Sequence, residues 1–278
     1  MNIVLVSIIN FQEYILHNIE QLIRLNHKNI YVLTNNNLFI HFTKYANFIT
    51  LINIDNLIDT YNFYSNTHLD KSFRNGFWTL TSLRFFYIYE FMKKYNVNDV
   101  IHLENDVLVY YNCDILDSCL NKNYIYLPFD TFYRNIASIM YIPNHNIFKL
   151  VLDNYDMTKN DMENFSIIKQ KTGLITNFPI FNSLSINDEI SFVSTNYVEF
   201  NYIFDAAAIG QYLGGVDPQN TNMDTVGFIN ETCVIKYNYY NIHWISIDNI
   251  NRPFIDIDNN TIPIFNLHIH CKNLLKFI

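Results

Sequence analysis

One stretch constrains the fold more than any other: Val100-Ile101-His102-Leu103-Glu104-Asn105-Asp106-Val107-Leu108-Val109. It is largely apolar and rich in β-branched residues, so it reads as a strand buried on both faces. Such a strand needs a sheet covered by helices on both sides. Yet it carries two carboxylates, Glu104 and Asp106. Residues two apart on a strand point the same way, with Cα atoms roughly 6–7 Å apart. Two acids on one face of an apolar strand repel each other and are costly to desolvate. A divalent cation removes that cost, because hard cations take carboxylate oxygens. The other reading is that one or both acids lie just past the strand end, in water.

The stretches before it agree with that class. Ile3–Ile9 reads as a strand and Phe11–Leu25 as a helix with Tyr14, Ile15, Ile19, Leu22 and Ile23 near helical spacing. Ile30–Thr34 is a second strand, Phe39–Tyr45 a short helix and Ile49–Ile54 a third strand. This β-α-β-α-β order predicts an α/β fold with a mostly parallel central sheet flanked by helices. Ligands of such sheets bind at the carboxyl ends of the strands, where Asn10, Thr34 and Asn35 sit; plain loop polarity explains them equally. Trp78–Tyr95 is a strong helix with Arg84 among apolar neighbours. A buried arginine needs an anion, either a structural carboxylate or a ligand phosphate.

Further strands are expected at Tyr124–Phe129 and Ile139–Pro143, with short helices at Ile147–Tyr155 and Met162–Lys171. Gly173–Asn187 reads as irregular. In Asn201–Pro218, Asp205 stands at the head of a small-residue helix that Gly214-Gly215 ends, so a helix cap is its simplest role. Ile262–Lys272 reads as a strand with His268, His270 and Lys272 on one face. Two histidines at i, i+2 can hold a metal, and a lysine beyond them can meet phosphate. No internal repeat or linker divides the 278 residues, so a single domain is expected, with halves at 1–110 and 111–278.

Composition narrows the partners. The net charge of −8, with scattered basic residues, gives no nucleic-acid surface. No apolar run reaches the roughly 18 residues of a membrane span, and Met1–Asn10 lacks the features of a secretion signal. The four cysteines show no zinc or redox spacing and read as reduced thiols. A cytoplasmic protein is expected, and a homodimer is compatible with it. The sequons at Asn164, Asn230 and Asn259 would then stay unmodified.

Trp78–Phe85, His102–Val107, Phe204–Gly215 and His268–Lys272 together resemble GT-A fold glycosyltransferases, in particular those encoded by large DNA viruses, which act in the host cytoplasm. The resemblance implies a Rossmann-like nucleotide-binding half, residues 1–110, fused to an acceptor half. It implies Mn²⁺ or Mg²⁺ held by an Asp-x-Asp motif and a late histidine. Glu104-Asn105-Asp106 stands in the motif's place, with Glu for the first Asp. Asp106 is then the metal ligand, with His268 or His270 completing it, and Glu104 either ligates or meets the sugar or ribose. The implied donor is a nucleotide-diphosphate sugar, a UDP-sugar by expectation, and the acceptor a glycan or protein hydroxyl. Asn10, Thr34, Arg74, Arg84, Asn105 and Lys272 are the candidates to bind the donor. An inverting reaction would take Asp205 as base, with Asp188 and Glu189 as alternatives. The rival readings are a metal-dependent hydrolase and a non-catalytic sugar-nucleotide-binding protein.

Overall fold

A computed structural model describes residues 1–182, 187–221 and 223–278. The chain starts with β1 (Asn2–Ser7), α1 (Tyr14–Arg24), β2 (Asn29–Thr34) and β3 (Ile49–Asn53). After a short α2 (Phe63–Asn66) and a long α3 (Phe77–Tyr95) come β4 (Val100–Leu103) and β5 (Val107–Val109). The middle holds β6 (Ile125–Thr131), β7 (Arg134–Asn135), β8 (Ile139–Ile142), α4 (His145–Leu152), α5 (Asp161–Thr172) and β9 (Ile175–Phe178). The rest holds α6 (Asp188–Val193), α7 (Tyr197–Phe200), β10 (Ile203–Phe204), α8 (Ile209–Gly214), β11 (Asn241–Ile247), β12 (Ile250–Ile257) and β13 (Asn260–His268).

The first sheet runs β3-β2-β1-β4-β8-β6-β7, with β9 beside β6. β3, β2, β1 and β4 are mutually parallel, as their crossover connections require. The strands are apolar on both faces because both faces are covered. Ile3 and Leu5 pack with Ile15, Ile19 and Leu22 of α1. Val4 and Val6 point the other way, into a cluster with Phe85, Phe86, Ile88, Phe91 and Met92 of α3. Each such side chain contributes about 1.5–3 kcal/mol by burial. β1 and β2 end together, with Ser7 opposite Thr34. This is the α/β sheet that the alternating runs predict. Strands on both sides of residue 110 share it, since β6, β8 and β9 follow that point.

A second sheet runs β10-β13-β12-β11, and β5 pairs with β13. Here the fold departs from the sequence reading. Val100–Val109 is not one strand: β4 belongs to the first sheet, β5 to the second, and Glu104-Asn105-Asp106 is the turn between them. The backbone N–H of Val107 closes this turn on the Glu104 carbonyl at 3.1 Å. The two carboxylates therefore converge through a turn, not through strand alternation. The expected C-terminal strand likewise stops at His268, and His270 and Lys272 lie in the turn that follows. Residues Asn36–Tyr45 wind as a 3₁₀ helix instead of an α-helix. The supposedly irregular Gly173–Asn187 contains β9, and its residues Ser183–Ile186 lie outside the described part.

The two C-terminal pieces approach closely at one glycine. A Cβ added to Gly210 of α8 would stand 2.7 Å from the carbonyl carbon of His268. Backbone cannot yield as a flexible side chain can. Gly210→Ala should cost about 1–3 kcal/mol by overpacking, read from urea unfolding; a change below about 0.5 kcal/mol, within the range of ordinary surface substitutions, would contradict the close approach.

Candidate metal and phosphate site

The turn between β4 and β5 is anchored before any ligand is considered. Asn105 Nδ2 donates to the Val6 carbonyl at 2.9 Å and to Gln12 Oε1 at 2.8 Å. Asn18 Nδ2 donates to the carbonyls of Glu104 and Asn105, at 3.2 and 3.3 Å. The Ile269 N–H reaches the Asp106 carbonyl at 2.8 Å. These bonds tie the turn to β1, to α1 and to the segment after β13. Asn105 thus has a structural task, and its buried Oδ1 has no partner among the described residues.

On this frame Glu104, Asp106 and His268 meet. One ligand-type atom from each lies within 4.8 Å of the others. His268 Nε2 is 3.0 Å from Glu104 Oε2 and 3.4 Å from Asp106 Oδ1. Arg84 pairs with Glu104 Oε1, and Lys272 with Asp106 Oδ2. Asp106 and His268 are 5% and 6% exposed, so these charges interact in a medium that screens poorly. Burial alone would raise both carboxyls. The Arg84 and His268 charges outweigh it at Glu104, and the Lys272 and His268 charges at Asp106, so both stay below the usual range. Burial alone would lower His268, but Asp106 and Glu104 lift it to about 10. Lys272 is raised as well, Asp106 outweighing its burial. Two carboxylate oxygens and an imidazole nitrogen form a donor set that suits Mn²⁺ or Mg²⁺.

The remaining candidates fall into three groups. Arg84 is 8% exposed and lies between Glu104 and Asp161, its Nη2 3.1 Å from Asp161 Oδ2. Of the two anions the sequence allowed for it, a carboxylate is the one Arg84 meets here. His270 sits against His268, ring centroids 4.2 Å apart, but its Nδ1 meets Gln211 at 2.9 Å. Burial and the nearby His268 charge push it down to about 3, and its buried Nε2 has no partner. Arg74 donates to Asn220 Oδ1 at 2.8 Å. Thr34 is fully buried with an unpartnered Oγ1, and Asn10 is exposed.

Asp205 is fully buried and is held by backbone N–H groups on both oxygens. Oδ1 accepts from Ala208 and Ile209 at 2.8 and 2.9 Å; Oδ2 accepts from Gly210 and His268 at 2.8 and 2.9 Å. A base needs a free lone pair facing the substrate, and none remains. The carboxylate staples α8 to the end of β13 and so places His268. Asp188 and Glu189 are exposed in the first turn of α6.

Three residues near the cluster escape the sequence reading. Tyr14, first in α1, lies under Lys272 with its ring centroid 5.6 Å from Nζ. Burial, then the Asp106 and Glu104 charges, hold its hydroxyl protonated. Ser7 ends β1 with a buried Oγ that has no partner, opposite the equally unpartnered Thr34. Asp161 heads α5 and balances Arg84. Only Ser7 carried a signal, its place at a strand's carboxyl end.

No protein-family model matches the sequence, and no curated protein matches it. Solved structures resemble the fold. The glycosyltransferase GlyE of Streptococcus pneumoniae TIGR4, in its apo form, is 17% identical with a TM-score of 0.44, over 64% of this chain and 44% of GlyE. Mouse xyloside xylosyltransferase 1, also apo, is 10% identical with a TM-score of 0.45, over 64% of this chain and 84% of its own. A cytidylyltransferase from Leptospira borgpetersenii is 11% identical with a TM-score of 0.39, over 68% and 76%. The chain thus spans under half the length of GlyE. At such low similarity the functional reading rests on the side chains of the site.

Two outcomes test this geometry. Asp205→Asn places an N–H₂ group among N–H donors and should cost about 2–3 kcal/mol in urea unfolding; an unchanged midpoint would show that the four bonds do not form. His268 has a folded pKa of about 10, above its ordinary value. Its contribution to metal-free stability is therefore complete below about pH 6.5 and lost as pH rises toward that folded value. The wild type should lose stability more steeply than His268→Asn between about pH 7 and pH 10; parallel curves would refute the charge pairing.

Proposed function

We propose that this protein is a metal-dependent glycosyltransferase of the GT-A type. One observation carries the reading. Glu104, Asp106 and His268 converge, with Lys272 beside them, near the carboxyl ends of parallel strands where Ser7, Thr34 and Asn105 keep buried polar atoms without partners among the described residues. Unpartnered buried groups at such an edge are what a polar ligand satisfies. An acidic pair with a histidine and a lysine fits a diphosphate bridged to the protein by a divalent cation.

Glu104, Asp106 and His268 would hold Mn²⁺ or Mg²⁺. When bound, the cation supplies positive charge to a leaving diphosphate. The residues of the chain do the rest. Lys272 shares Asp106 in the metal-free protein and would meet the same developing charge. Tyr14 presents a neutral hydroxyl next to it. Ser7, Thr34 and Asn105 would bind the nucleoside, for which uridine is the proposed identity. Asn10 and Arg74 are more peripheral candidates. The acceptor is a glycan or protein hydroxyl, and the setting is the cytoplasm. Inversion would need a carboxylate base other than Asp205.

The test is a thermal-shift screen of UDP-sugars with and without Mn²⁺, followed by product analysis with glycan acceptors. Asp106→Ala should abolish the Mn²⁺-dependent shift, a loss of at least about tenfold in affinity. Equal UDP affinity in that variant would sink the metal assignment. Hydrolysis of the donor without any new glycosidic linkage would favour the hydrolase reading.

A further inference from the structure

The Glu104 carboxylate is held from two sides. Arg84 Nη1 takes Oε1, while His268 Nε2 lies 3.0 Å from Oε2. Arg84 is itself immobilised. Its Nη2 lies 3.1 Å from Asp161 Oδ2 and 3.4 Å from the Ala137 carbonyl oxygen, and its guanidinium carbon stands 4.6 Å over the Phe85 ring. Arg84 and Asp161 are 8% and 4% exposed. A guanidinium so enclosed cannot swing away without leaving Asp161 buried without its cation and Glu104 Oε1 without its partner, which is unfavourable. Glu104 Oε1 is therefore committed, and only Oε2 faces Asp106 and His268.

We propose that the buried Asp161–Arg84 pair determines which divalent cation the site accepts, by restricting Glu104 to ligation through one oxygen. This rests on the metal-site reading above. Ca²⁺ takes six to eight oxygen ligands and often uses both oxygens of one carboxylate; a nitrogen ligand suits it poorly. Mn²⁺ and Mg²⁺ are satisfied by single oxygens, and Mn²⁺ also accepts imidazole. The glutamate matters here. Its extra methylene, compared with aspartate, gives a carboxylate freed from Arg84 the reach to turn both oxygens to one ion. Arg84 and Asp161 are thus positioning residues. They touch no substrate, and they discriminate against Ca²⁺ through Glu104.

Calorimetric titration of the full chain with MnCl₂ and with CaCl₂ tests this, in the wild type, Asp161→Asn, Arg84→Met and Asp106→Ala. The wild type should bind Mn²⁺ more tightly than Ca²⁺. In Asp161→Asn and Arg84→Met that preference should shrink by at least about tenfold, the usual scale for a group that orients a metal ligand. A merely structural role would weaken both ions alike and leave the ratio unchanged. If Arg84→Met does not fold, the double variant Arg84→Met/Asp161→Leu removes both charges and serves instead. An unchanged ratio in folded variants, with Mn²⁺ binding still abolished in Asp106→Ala, overturns the clamp and leaves the metal site standing. Full Mn²⁺ affinity in Asp106→Ala overturns the metal site, and the clamp with it.

Discussion

The cost of placing two carboxylates in a buried turn governs this molecule. Glu104 and Asp106 cannot be desolvated together without cations within hydrogen-bonding reach. Arg84, His268 and Lys272 supply them, one from α3 and two from the end of the chain. Each brings its own requirements. Arg84 is buried and so recruits Asp161. His268 is in place because Asp205 binds its backbone N–H. Lys272 reaches Asp106 because its residue adopts a positive φ of 61° in the turn after β13.

That charge balance explains why the two sheets meet where they do. β4 hydrogen-bonds to β1 and β8, whereas β5, three residues later, hydrogen-bonds to β13. The Val6 carbonyl of β1, Asn18 of α1 and Gln12 just before α1 hold the turn from one side, and Ile269, just past β13, holds it from the other. The polar turn is thus enclosed by apolar strands on both sides. It is fixed by hydrogen bonds on its protein side, and its carboxylate oxygens meet His268.

Much of the fold is legible in the sequence, because apolar runs of strand length alternating with helical spacing admit few arrangements other than a parallel sheet. The helix bearing Arg84 follows from the same periodicities. What escapes depends on tertiary partners. A ten-residue apolar stretch reads the same as one strand or as two, since Val107–Val109 is buried in either case. The turn after His268 contains no glycine or proline to announce it. Asp161 is 77 residues from Arg84 in sequence, and nothing at either position names the other. Asp205 shows why a residue type at the right place is weaker evidence than its hydrogen bonds. A carboxylate at the head of an Ala/Gly-rich helix can serve a substrate or a backbone, and only the four N–H groups decide.

The crossing from β4 to β5 also bears on how the chain assembles. Glu104 leaves the first sheet, while His268 is the last residue of the final strand in the second. No ligand set is complete within either sheet alone. During synthesis Arg84 and the acidic turn emerge long before residues 268–272, so Glu104 has its arginine at once while Asp106 waits for both His268 and Lys272. The charge balance of Asp106 is thus deferred to the docking of the C-terminal hairpin. Closing that hairpin against β5 is the step that brings His268 to Glu104 and Asp106 and encloses the loop between the two sheets.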